Sequence, residues 1–284
     1  MWYSGFVFIL ASFCVNLFGV NPPSGDDSYH LVWADEFNKD GPPDTSVWRF
    51  EHGFVRNNED QWYQPANAWC KSGKLIIEAK RAHLPNPEFV PGSKDWRKQR
   101  KWIAYTSASL NTAGHKSWQY GRFIMRARID TDNGLWPAFW TLGIKGRWPS
   151  NGEVDIMEYY RKHLLANIAC GTKKSNVAKW FSVKKPLGSF YKGWNKHFHI
   201  WRMDWNKKGI RLYVDNLLMN EVPLDSLVNP NGINPFMQPQ YILLDLAVGG
   251  DNGGDPSGTR FPRKFEIDYV RVYQKKSGRV GDGE

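Results

Sequence analysis

Tyr120–Asp130, YGRFIMRARID, decides the fold. Phe123, Met125, Ala127 and Ile129 fall on one face, while Arg122, Arg126 and Arg128 share the other with Ile124. Side chains of an extended strand alternate faces, so this run is a strand with one side in a core. Working outward, period-2 or fully apolar runs recur at Leu31–Phe37, Lys74–Arg81, Tyr105–Thr112, Glu153–Tyr160, Leu165–Thr172, Phe198–Trp205, Ile210–Asp215, Tyr241–Gly249 and Phe265–Gln274. Ser72-Gly73, Asp132-Asn133-Gly134, Asn231-Gly232 and the stretch Gly249–Gly258 supply turn signals between them. No amphipathic helix exceeds about two turns. Many antiparallel strands predict an all-β fold, a jelly-roll sandwich of two curved antiparallel sheets with an open cleft.

With 284 residues and 41% apolar content, the chain can bury one large core, and one domain over residues 21–284 is expected. Its 15 Trp exceed what a core needs, and flat indole faces suit the apolar faces of sugar rings. The longest irregular stretch, His83–Lys101, contains Pro85, Pro87 and Pro91 and ends in KDWRKQRK, which contributes much of the +10 formal charge. That run reads first as a solvated face and second as a subsite for an anionic polymer such as a sulfated polysaccharide. No nucleic-acid module accompanies it, so nucleic acid is not an expected partner.

Residues 1–20 contain an uncharged apolar run, Phe6–Val20, that resembles a secretory h-region and is short for a membrane span. Phe13 before Cys14 is too large for a lipoprotein cleavage site, so soluble export, secreted or periplasmic, is expected over a surface lipoprotein or stable membrane insertion. Cys70 and Cys170 then remain and read as buried free thiols.

The chemistry is concentrated in NGEVDIMEYY, Asn151–Tyr160, where Glu153, Asp155 and Glu158 stand among Val154, Ile156 and Met157. Buried carboxylates are expensive, so such a strand has a chemical reason to keep them. Strict alternation puts Glu153 and Asp155 on one face and Glu158 on the other. A β-bulge near Ile156 and Met157 would return Glu158 to the first face. The two Glu backbones would then lie roughly 13 Å apart, leaving their carboxyls about 5 to 6 Å apart. That spacing suits one carboxylate attacking a sugar carbon while the other protonates the leaving oxygen.

WPAFW (Trp136–Trp140), RWPSNGEVDIMEYY (Arg147–Tyr160), LAVGG (Leu246–Gly250) and EIDYVRVYQ (Glu266–Gln274) together resemble glycoside hydrolase family 16, in its laminarinase-like branch. The resemblance covers essentially the whole mature chain and implies a concanavalin A-like jelly roll. It implies Glu153 as nucleophile, Glu158 as general acid/base, and Asp155 as an intermediate carboxylate that tunes the nucleophile. It also implies that Trp136, Trp140 and Trp148 stack on sugars, with Asn57 and Arg81 as polar contacts. Similar proteins hold a calcium ion on the convex face; the matching positions are the main-chain oxygens of Glu36 and Gly73 and the Asp268 side chain, oxygen ligands that suit a hard cation. No cofactor is implied for the chemistry.

The expected activity is endo-cleavage of a β-1,3 or mixed β-1,3-1,4 glucan with retention, by a monomer whose partner is its polysaccharide. Two departures bear on substrate choice: Cys170 in LLANIACGT, where relatives often carry His, and Asp245 where they tend to have Asn. The rivals are an endo-β-galactanase on agar-like, porphyran-like or host glycans, and a non-catalytic glycan-binding protein.

Overall fold

A computed structural model describes residues 28–276, so the leader expected at residues 1–20, and Cys14 within it, lie outside the described residues. In chain order the first strands are β1 (Tyr29–Asp35), β2 (Arg49–Phe50), β3 (Gln61–Tyr63), β4 (Ala68–Cys70), β5 (Leu75–Pro85), β6 (Trp102–Ser107) and β7 (Ser109–Asn111). There follow β8 (Gly121–Ile129), β9 (Leu135–Gly143), β10 (Glu153–Tyr160), β11 (His163–Gly171) and β12 (Ala178–Pro186). The last are β13 (His199–Trp205), β14 (Gly209–Val214), β15 (Leu217–Pro223), β16 (Gln240–Val248) and β17 (Arg263–Lys275), with one helical turn, α1 (Gly250–Gly253).

These strands form two sheets. The outer sheet has the order β15-β14-β13-β8-β17-β5-β6-β3, with β1 on β17 and β4 on β5; the inner has β12-β11-β10-β9-β16-β7-β2. Every pairing is antiparallel except β3 with β6. The alternation read in β8 holds. Phe123, Met125, Ala127 and Ile129 are buried between the sheets, where they join Val154, Ile156, Met157 and Tyr159 of β10 and Ile168 of β11. Each such aliphatic or aromatic side chain contributes roughly 1.5 to 3 kcal/mol on burial.

Six strands escape the sequence reading: β2, β3 and β4 are only two or three residues long, and three longer ones are missed for local reasons. β9 contains Pro137, a residue that argues against a central strand. The β9–β10 register ends at Ala138, so Pro137 stands outside that ladder. β12, AKWFSVKKP, is rich in lysine and mostly exposed because it is the edge of the inner sheet. β15 is interrupted by Asn220 and Glu221; Asn220 is buried and donates to the Ala166 and Phe181 carbonyls. Cys170, one of the two departures read as bearing on substrate choice, points into the core and does not line the concave face. Cys70 and Cys170 are free and buried, as expected.

Candidate active site

The inner sheet carries a cavity of about 400 Å³ on its concave face, lined among others by Trp136, Trp140, Trp148, Glu153, Asp155, Glu158 and Trp180. A register shift in β10 places all three acids there. Asp155 pairs with Trp140 of β9, but the next pair is Met157 with Phe139, so Ile156 is the extra residue. On the other side Asp155 faces Asn167 and Glu158 faces Leu165, two β10 residues standing opposite one of β11. Ile156 and Met157 therefore both enter the core, and Glu158 returns to the face of Glu153 and Asp155.

Directly paired residues share a face, so the registers give rows across the sheet. One row runs Tyr241–Leu142–Glu153–Ala169–Trp180, and the next Leu243–Trp140–Asp155–Asn167–Ser182. A third runs Asp245–Ala138–Glu158–Leu165–Lys184. The cleft thus crosses the strands, with the acids near its middle.

Among the described residues no arginine forms an ion pair with the three acids. The Trp148 indole N–H donates to Glu153, the Trp136 indole N–H donates to Glu158 at 2.6 Å, and the Asn167 amide nitrogen donates to both Asp155 (3.1 Å) and Glu158 (2.8 Å). Burial pushes all three carboxyls upward. Glu158 rises to about 8, with the charge of Glu153 adding to the effect and the Trp136 hydrogen bond opposing it. Asp155 is held well above the carboxylate range by burial and by the charges of Glu153 and Glu158. Burial also raises Glu153, but hydrogen bonds from Trp148 and from the Asp155 carboxyl favour its ionised form. The hydrogen bonds from Trp148 and Asp155 thus favour the ionised form at Glu153, while the charge of Glu153 favours the protonated form at Asp155 and Glu158.

A second acidic group floors the β16 side of the cleft. Asp245 accepts from the Trp140 indole at 2.7 Å and from the Tyr63 hydroxyl at 3.1 Å, which fixes the Trp140 ring. Burial lifts Asp245 to about 6 and Glu59 to about 7. Arg56 ion-pairs with Glu51 and lies 5.2 Å from the Trp140 ring centroid, so cation–π contact backs the same indole.

Asn57 lies in the cleft lining with φ +54° and donates to Glu59 at 3.3 Å. Arg81 does not join it. Its guanidinium donates to the Ser257 carbonyl at 2.6 Å and lies over Tyr105 and Phe261, outside the cleft lining. Trp136 and Trp140 are 6% and 8% exposed, whereas Trp148 is 39% and Trp180 45% exposed. Trp180, Asn167, Arg56 and Glu59 are the lining or network residues that the sequence reading did not single out as site residues. Asn167 could have been found by folding β10 onto β11 about the Arg161-Lys162 turn, which sets it opposite Asp155.

The calcium positions lie in and beside the outer sheet, and the one side-chain ligand among them is engaged by an arginine. Asp268, the single side-chain carboxylate of the set, is 2.5 Å from the Arg126 guanidinium, and the Glu36 side chain is held by Arg271 at 2.7 and 2.8 Å. Gly73 takes φ +70° in the turn before β5. Among the described residues no three His, Cys, Asp or Glu side chains are grouped to hold a metal.

The family model for glycosyl hydrolases family 16 matches residues 61–271. The chain is 35% identical to a β-glucanase of Rhodothermus marinus over 87% of its own length and 85% of that protein. It is 30% identical to glucan endo-1,3-beta-glucosidase A1 of Niallia circulans, covering 87% of its own length and 38% of that longer chain. The catalytic domain of an endo-1,3-beta-glucanase (laminarinase) from Thermotoga petrophila aligns with TM-score 0.74 and 29% identity, over 88% of this chain and 99% of that one. A structure described under "Prominent members of the human gut microbiota express endo-acting O-glycanases to initiate mucin breakdown" aligns with TM-score 0.81 and 33% identity, over 90% and 94%.

Proposed function

The chain belongs to glycosyl hydrolases family 16 and is a glycoside hydrolase, and from that premise we propose how its residues divide the work. It is a retaining endo-β-glucanase that hydrolyses internal β-1,3 or mixed β-1,3-1,4 linkages. Glu153 attacks the anomeric carbon as Glu158 passes its proton to the departing glycosidic oxygen, leaving the sugar esterified to Glu153. Glu158, now ionised, takes a proton from water as that water attacks the same carbon and releases Glu153. Asp155 donates its hydrogen bond to Glu153 throughout and holds the ionised nucleophile in place.

The observation that carries this reading is the bulge at Ile156, which brings the three acids to one face with different partners. Two buried polar atoms support it: Asn167 Oδ1 beside the acids and Arg56 Nη1 in the cleft lining have no hydrogen-bond partner among the described residues, and sugar hydroxyls can supply one. Trp140 and Trp148 offer stacking faces, and Asn57 a polar contact at the rim. Residues 21–284 act as one catalytic domain, since the described core draws on both sheets. Export through the leader expected at residues 1–20 fits a substrate that is a polymer. Among the described residues no helix is long and apolar enough to cross a membrane. The working form in this reading is a monomer. No cofactor enters these steps, and Arg126 pairs with Asp268 where a structural calcium was expected.

Incubating the protein with laminarin, barley β-glucan, lichenan, agarose, porphyran and carrageenan tests the reading, with reducing ends expected from the first three. The second reading, an endo-β-galactanase, is favoured by the likeness to the structure described for mucin-degrading O-glycanases. Activity confined to galactans in the same panel would select it.

A further inference from the structure

Between Tyr159 and Met203 the chain has no Asp or Glu against ten Lys and Arg. Of these only Arg202 has an ion pair among the described residues, with Asp204 at 3.4 Å. The stretch contains β11 and β12, which form one end of the inner sheet. At the opposite end the charge of Arg56 is answered by Glu51. The cleft is thus balanced at one end and uncompensated at the other.

Trp180 stands on the uncompensated end, in the row of Glu153 and two strands beyond it, about 10 Å away at the usual strand spacing. It is 45% exposed and lines the same cavity as the acids, which an indole serving only the core would not do. Lys184 lies on the same strand face in the row of Glu158, its Nζ 5.5 Å from the Tyr160 ring centroid. At the other end of β12, Lys173 and Lys174 are exposed in the turn that joins β11 to β12. A sugar ring resting on Trp180 would therefore have ammonium groups towards both ends of the strand that carries it.

Resting on the glycanase reading above, we infer that the β12 end of the cleft is a subsite for an acidic sugar, one bearing a sulfate ester or a carboxylate, in the segment of substrate beyond the cleaved bond. Trp180 supplies the platform, and Lys173, Lys174 and Lys184 supply the charge. A neutral glucan uses the platform alone.

Three laminarin preparations of one chain length, native, lightly sulfated, and oxidised to carboxylate at the primary hydroxyls, are titrated against the full chain at low and moderate salt by indole fluorescence. The acidic forms are expected to bind about tenfold tighter than native laminarin, with the advantage shrinking as salt rises. In the triple variant Lys173→Gln/Lys174→Gln/Lys184→Gln the advantage falls to about twofold or less. In Lys98→Gln/Lys101→Gln, which removes two of the five cations of the basic loop, it persists. Trp180→Ala weakens all three ligands alike. A preference confined to one acidic form identifies the group recognised. Equal affinity for native and acidic forms, an advantage that survives the triple variant, or one that vanishes in the loop variant overturns the inference. Failure of the glycanase reading shows separately, as no reducing ends from any polysaccharide of the panel.

Discussion

The two sheets treat carboxylates in opposite ways. On the outer sheet Glu36 meets Arg271, Asp204 meets Arg122, Glu266 meets Arg128 and Asp268 meets Arg126. On the inner sheet Glu153, Asp155 and Glu158 have no ion pair among the described residues and are held by indole N–H groups, one amide and each other. An acid facing a guanidinium is a fastening with one useful charge state. An acid held by neutral donors in a buried cluster can gain and lose a proton, which is what acid–base and nucleophilic chemistry need.

The largest test of that contrast exchanges an acid on each sheet. Glu153→Gln should lower kcat by a factor on the order of 10⁴ or more, since removing a nucleophile removes the covalent route. Glu36→Gln should leave kcat within about twofold. Reducing-end assays on laminarin compare the two, and equal losses would erase the distinction between the sheets.

Glu158→Gln should cost about 10²- to 10⁴-fold in kcat/KM and should change stability with a definite sign. The folded carboxyl sits at about 8 against an ordinary value of 4.5, so the folded state prefers the neutral form. Its stabilisation is complete below about pH 4.5 and is lost as pH rises towards 8, at about 1.4 kcal/mol per pH unit at most. The Gln variant lacks that loss. Its melting temperature relative to wild type should climb between about pH 5 and 8, and a pH-independent difference would count against a protonated Glu158.

A subtler change concerns the donor. The Trp136 indole stabilises the ionised form of Glu158, so Trp136→Phe should raise the carboxyl further and move the alkaline limb of kcat/KM, expected near pH 8 in wild type, to higher pH. A downward move would mean that the limb belongs to another group.

The smallest effect belongs to the outer sheet. Asp268→Asn should cost no more than about 1 kcal/mol, because the Arg126–Asp268 pair is partly exposed. A chelator should leave the melting temperature unchanged, and a clear drop would restore the calcium ion that the Arg126 pairing argues against.

Much of this was legible in the chain. Strict alternation in Tyr120–Asp130 exposed the sandwich, and the spacing of Glu153 and Glu158 by itself called for the bulge found at Ile156. What stayed hidden had physical causes. Pro137 disguised β9, which carries Trp136 and Trp140: it pairs with Leu246 of β16 but lies beyond the end of the β10 ladder, a distinction the sequence does not display. The lysines of β12 disguised an edge strand as a loop, and Trp180 went with it. Arg81 and Cys170 were placed near substrate by analogy, but strand parity turns Cys170 into the core and a long side chain carries Arg81 to the Ser257 carbonyl. Asp245 was noticed as a departure, yet its work, holding the Trp140 indole and the Tyr63 hydroxyl, depends on contacts over 100 residues apart.

The claim at the centre is that Glu153 forms the covalent bond. An activated laminaribioside fluorinated beside the anomeric carbon slows release of the sugar from the enzyme, so the intermediate accumulates and peptide mapping by mass spectrometry locates it. The account predicts one sugar per chain, attached to the peptide containing Glu153 and at that side chain. Attachment to Glu158 or Asp155, or turnover of the compound by direct displacement with inverted products, would contradict it.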